Sequence, residues 1–226
     1  MFGQNLKMSS EKKYFFLMAC SIFALSACMP TSRISFPKVV EKGSSYGGIN
    51  AELIRLPENY RTLYVEESEK IKLSVYPSVN FSYSYGLDYN NELQIQVLGS
   101  AFSTITLKKQ VLTGKIPVTV SYGSTILFQK ILTLKPNKIF QSFYSEMSTG
   151  YKYVYLSPKI IYNNILIWDE RWSYGLTAGV TSQNLSTNTF WTPRNLYYCE
   201  CSIFKMSNGY YISPMVGVMI PLNYKK

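Results

Sequence analysis

From Ile71 to Leu87 every odd position is apolar, and every even position except Tyr76 is polar or glycine: Lys72, Ser74, Ser78, Asn80, Ser82, Ser84 and Gly86. Successive side chains on a β-strand leave opposite faces, so a period of two held this long predicts a strand with one apolar and one polar face. Pro77 has no N–H for a ladder, which places the start of regular pairing just after it. Asp88-Tyr89-Asn90-Asn91 supplies turn chemistry, and Glu92 to Val97 resumes the alternation through Leu93, Ile95 and Val97. Together the two runs predict a hairpin.

The same pattern recurs to the end of the chain. Thr104 to Val111 alternates around Ile105 and Leu107, a turn falls at Thr113-Gly114-Lys115, and Ile116, Val118, Val120 and Tyr122 alternate again. Thr125–Leu134, Ile139–Met147, Tyr151–Leu156 and Lys159–Trp168 are further candidate strands. Arg171 to Thr181 is regular, with Trp172, Tyr174, Leu176, Ala178 and Val180 on one face. A polar loop from Ser182 to Arg194 leads to Leu196–Lys205, and Tyr210–Leu222 closes the series. No helical stripe interrupts it. The expectation is an all-β domain of about eight to ten strands over residues 49–226.

The polar face separates two architectures. It is built from Ser, Thr, Asn, Gln and Gly, while aromatics gather near strand ends on the apolar face. A transmembrane, antiparallel up-and-down β-barrel requires this arrangement: lipid outside, a small hydrogen-bonded interior inside. A water-soluble β-sandwich alternates too, but its exposed face usually carries more Lys, Glu and Asp. Charged residues make up only 16% of the chain, and the 20 tyrosines and 3 tryptophans suit interfacial girdles. The barrel is the leading expectation and the sandwich its alternative.

The first 28 residues carry a different pattern. Lys12 and Lys13 precede a 14-residue apolar run, Tyr14 to Ala27, too short to span a bilayer as a helix. It ends in Leu25-Ser26-Ala27-Cys28. These residues resemble the lipobox of bacterial lipoproteins, which implies removal of residues 1–27 and acylation of Cys28. Two or three acyl chains hold a protein on a membrane almost permanently, each buried methylene contributing roughly 0.8 kcal/mol. Met29 stands where aspartate usually signals inner-membrane retention, so the resemblance implies the outer membrane. Residues 28–48, with two prolines and a Gly/Ser cluster, read as a flexible tether. The stretch Tyr83 to Ile95 resembles a recurring hairpin of outer-membrane barrels, in which a Tyr-Gly-Leu closes one strand and a Leu-x-Ile run opens the next. Tyr174-Gly175-Leu176 repeats part of it.

Composition narrows the chemistry. The chain has no histidine, which excludes a Ser-His-Asp triad and histidine-based zinc sites and removes the commonest general base. Without residues 1–27, which hold three lysines and one glutamate, the formal charge falls from +10 to +8. The excess is dispersed, whereas a nucleic-acid binder clusters it. Attraction to anionic lipid headgroups is one expected meaning, and a merely solvated basic surface is the other. Cys199 and Cys201, two apart on one strand, point the same way and are read as small apolar side chains facing lipid or core. Asp169 and Glu170 are adjacent, so they face opposite ways and cannot share a substrate. If alternation sets the interior, Lys72, Glu92, Arg171 and Glu200 point inward and form a lumen ion network. The expectation is a non-catalytic, lipid-anchored outer-membrane barrel without cofactor or metal, in a structural, envelope or surface-interaction role. Its partners are the membrane and an envelope protein or glycan, not nucleic acid. The alternative is a tethered sandwich that binds a protein or glycan.

Overall fold

The computed structural model describes residues 34–55, 75–88, 90–98, 102–127, 140–163, 172–187, 190–206 and 209–225. Alternation becomes ten antiparallel strands: β1 (Ser45–Arg55), β2 (Val75–Gly86), β3 (Asn91–Leu98), β4 (Phe102–Leu112), β5 (Val118–Leu127), β6 (Phe140–Tyr151), β7 (Val154–Asn163), β8 (Trp172–Thr181), β9 (Leu196–Met206) and β10 (Gly209–Asn223). Each strand pairs with its neighbour in sequence, and β1 closes the ring on β10 from Ser45 opposite Asn223 to Arg55 opposite Ile212. The fold is therefore a closed up-and-down barrel. Closure rules out the sandwich, because no strand is left as a free edge.

The faces are assigned as the alternation requires. Phe81, Tyr83 and Tyr85 point outward while Ser78, Asn80, Ser82 and Ser84 are buried inside. In β8, Trp172, Tyr174, Leu176 and Val180 are exposed and Ser173, Thr177 and Thr181 are buried. Cys199 and Cys201 are free thiols on the outer wall.

Four differences from the alternation-based expectation bear on the fold. β2 starts at Val75 and runs through Pro77, whose missing N–H falls on the side away from β1, where the described register with β3 begins only at Asn80, so the proline does not end the strand. The separate runs 116–122 and 125–134 meet in β5, which continues through Gly123 and Ser124 to Leu127. Likewise 151–156 and 159–168 meet in β7, where Pro158 lies opposite Leu176. Both neighbours hold β5 through its break, whereas β7 is held there by β8, its register with β6 skipping Ser157 and Pro158. The fourth difference is the largest. Where a flexible tether is expected at residues 28–48, residues 34–40 are buried inside the barrel, and Ser45 already begins β1. Residues 28–33 lie outside the described residues.

The two ends of the barrel are unlike. The connections 87–90, 113–117, 152–153 and 182–195, the start of β1 and the end of β10 lie on one side, called here the turn side. The opposite strand ends, at Arg55, Val75, Leu98, Phe102, Leu127, Phe140, Asn163, Trp172, Met206 and Gly209, make the other side.

Candidate functional site

The strap 34–44 enters the turn-side mouth because the lumen wall supplies partners for its backbone. The N–H of Ser35 donates to Glu200 Oε1 (3.1 Å), that of Val39 to Gln110 Oε1 (3.1 Å) and that of Val40 to Glu92 Oε2 (2.9 Å). Its carbonyls are served from the wall as well: Ser157 Oγ donates to Ser35 O (3.2 Å) and Gln110 Nε2 to Pro37 O (3.1 Å). A buried peptide group left unpaired costs about as much as a lost hydrogen bond, so these inward polar side chains make the buried path possible.

The strap runs from the interior toward the mouth. Ser35 reaches Glu200, four residues into β9, whereas Gly43 N donates to Gly86 O (2.8 Å) at the last residue of β2. Gly86 is the residue that admits this return. A Cβ there would meet the backbone carbonyl carbon of Glu41 at 2.5 Å.

An aromatic cluster completes the plug. Phe36 packs edge-on against Tyr198 (ring centroids 5.1 Å), Tyr155 (5.7 Å), Phe190 (5.9 Å) and Trp191 (5.9 Å). Phe190, Trp191 and the fully buried Leu185 come from the loop 182–195, which folds back over the mouth. Such edge-to-face pairs add roughly 0.5–1.5 kcal/mol each beyond area burial. Tyr46 OH donates to Thr192 O (2.8 Å) and Lys38 Nζ to Thr187 O (3.0 Å), so strap, loop and β1 are tied together.

Of the expected ion network, Glu92 and Glu200 are buried inside the barrel. Lys72 and Arg171 lie outside the described residues. Glu92 is buried but its cation is Lys108, directly opposite on β4 (3.7 Å). A second pair, Lys159–Glu146 (3.2 Å), spans β7 and β6. Glu200 accepts from the Tyr155 hydroxyl and from Ser35 N, so it serves the strap. A fourth carboxylate, Glu52, accepts from Ser213 Oγ and from Asn80 Nδ2 (3.2 Å). The even-numbered position of Lys108, on the polar face of its run, was the signal that could have found it. Lys159 and Glu146 needed the register.

Beside the strap, the mouth holds a cavity of about 810 Å³. Its wall includes Lys38, Lys42 and Lys225 with one acid, Glu41, and its outer lip includes Tyr85 and Leu87 of the outward row. Burial lowers the pKa of the Lys38 ammonium and raises that of the Glu41 carboxyl. Among the described residues no three His, Cys, Asp or Glu side chains are grouped to hold a metal ion.

No protein family and no curated protein matches the sequence. Among solved structures, two of Ail, the attachment invasion locus protein of Yersinia pestis, share a loose likeness of shape. The complex with the heparin analogue sucrose octasulfate is 11% identical with a TM-score of 0.30, and another crystal structure of Ail is 12% identical with a TM-score of 0.29. Each match covers 80% of this chain and 99% of that one.

Proposed function

We propose that this chain is a non-catalytic outer-membrane β-barrel lipoprotein of the bacterial envelope, anchored by acyl chains on Cys28 and embedded through its strands, with a structural or surface-interaction role. The observation that carries the reading is the inversion of faces. Phe81 is 53%, Tyr122 59% and Val216 55% exposed, while Asn80, Thr177 and Ser213 are at 0%. In water that outer belt is an aggregation surface; in a bilayer it is the solvated face, and polar residues belong in the lumen.

Barrels of this class keep short turns on the periplasmic side and longer loops outside. The turn side is then periplasmic, and the opposite strand ends, from Arg55 and Val75 round to Met206 and Gly209, face outward. An envelope protein or a glycan is the partner class for such a barrel. The plug argues against an open pore. Six residues span at most about 20 Å, so an acylated Cys28 lies within that reach of the buried Ile34. The anchor is thus coupled to the plug.

The test separates the two modes of attachment. A Cys28→Ser chain exported behind an ordinary cleavable signal is followed by fractionation and by a heat-dependent gel shift. Retention in the outer membrane until detergent is added supports embedding through the strands. Release into the periplasm would overturn it. Labelling with a fatty-acid analogue, lost in Cys28→Ser, tests acylation independently.

A further inference from the structure

We propose that the turn-side cavity is a binding site for the phosphate of an anionic phospholipid headgroup, held by Lys38, Lys42 and Lys225 at the rim of the barrel. The proposal deepens the bilayer reading and rests on it. Three ammonium groups and one carboxylate line the cavity, so its wall carries excess positive charge. Lys38 is only 8% exposed, and its partner is the neutral carbonyl of Thr187. None of the ion pairs among the described residues includes it. A buried cation is normally compensated by an anion, and here the space beside it is a cavity whose one carboxylate, Glu41, is set against three ammonium groups.

The neighbouring lysines converge on the same place through the backbone. Gly43, at φ 72°, turns the strap back toward β1, and Lys225 Nζ lies 3.7 Å from where a Cβ at Gly43 would stand. Lys225 is fixed there by reciprocal bonds with Ser44: its N–H donates to Ser44 Oγ (3.0 Å), and that hydroxyl donates to Lys225 O (3.4 Å). Lys42 occupies the preceding position, bridged to Gly86.

The outer lip says which anion. Tyr85 and Leu87 continue the outward row of Phe81 and Tyr83, so they face the acyl region or its boundary. A ligand filling this cavity therefore touches lysines at one end and the lipid-facing wall at the other. A phospholipid has that polarity; free phosphate engages only the lysines. Basic pockets at a membrane surface recognise anionic headgroups in this way, and each lysine near the surface contributes about a fivefold preference.

The experiment embeds the full mature chain in nanodiscs that mix phosphatidylglycerol with phosphatidylcholine, then counts co-released lipids by native mass spectrometry. The expected result is preferential retention of phosphatidylglycerol, reduced by about fivefold in each of Lys38→Gln and Lys225→Gln and unchanged in Lys115→Gln, an exposed lysine of another turn. Heat-dependent mobility confirms that each variant is folded. Equal retention of both lipids overturns the site, as does an equal loss in Lys115→Gln. Binding of inorganic phosphate without lipid preference overturns the headgroup as the source. A folded chain that does not enter nanodiscs at all overturns the bilayer reading itself, and this proposal with it.

Discussion

At the scale of single residues, the lumen is organised by a rule of size across the ladder. Four inward glycines each face an inward aromatic directly opposite on the next strand: Gly123 and Tyr144, Gly175 and Phe204, Gly179 and Tyr155, Gly217 and Tyr198. Each ring lies over the glycine, where a Cβ would collide with it. The glycine is needed for space here, and the ring covers the backbone that it leaves bare. Gly175→Ala is accordingly expected to destabilise the barrel by about 1–3 kcal/mol. Adding Phe204→Ala should leave the double variant less destabilised than the two single effects summed. The urea midpoint of the heat-modifiable folded band measures both; simple additivity would contradict the steric account. None of these partnerships was legible in the sequence, since a glycine in a polar row looks like any small residue until the register supplies its neighbour.

The strap and the turns make the argument at the scale of elements. The strap is a short run without periodicity, rich in residues that normally mark linkers. What orders it are partners at long range, Glu200 lying 165 positions from Ser35 and Gln110 71 from Val39. Gly86→Ala places a methyl group on the backbone of Glu41, where no side chain can yield. The strap should then show faster hydrogen exchange over residues 34–44 while β4 to β9 keep their protection. Unchanged exchange would mean that the strap is held without its return past β2.

The turn 87–90 adds a pH dependence. Asp88 accepts from Asn90 N (2.9 Å) and from Asn91 Nδ2 (2.8 Å), and these bonds hold its pKa below the ordinary value of 3.8, the Asn90 N–H first. A depressed carboxyl stabilises the fold fully above its unfolded pKa and loses that contribution as pH falls through the folded value. Acid titration of unfolding should therefore be shallower below pH 3.8 in Asp88→Ala than in the parent chain. Of this element, the Asp-Tyr-Asn-Asn turn chemistry was visible in the sequence, because the hydrogen bonds that make it are local.

For the whole molecule, closure and environment decide what the faces mean. Phe81 lies between Ile49 and Val97 on the outer wall, in the middle of an exposed apolar patch. Phe81→Lys should cost roughly 2–4 kcal/mol near the bilayer midplane and impair assembly, whereas Phe81→Leu should assemble normally. Pulse-chase acquisition of heat-modifiability reads the difference. Normal assembly of the lysine variant would count against a membrane-embedded belt.

Period-two alternation by itself determined that the chain is all-β, which side chains share a face, and that the polar face is built mostly from small side chains with few charges. It did so because strand geometry is local: a residue's face follows from its position alone. Only the tertiary structure decided that ten strands close into a ring, that Lys108 and Lys159 neutralise Glu92 and Glu146, and that residues 34–44 form the plug. Those outcomes depend on register, on closure and on contacts between segments far apart in sequence. Such contacts exist only once the barrel has brought its inward rows to face one another.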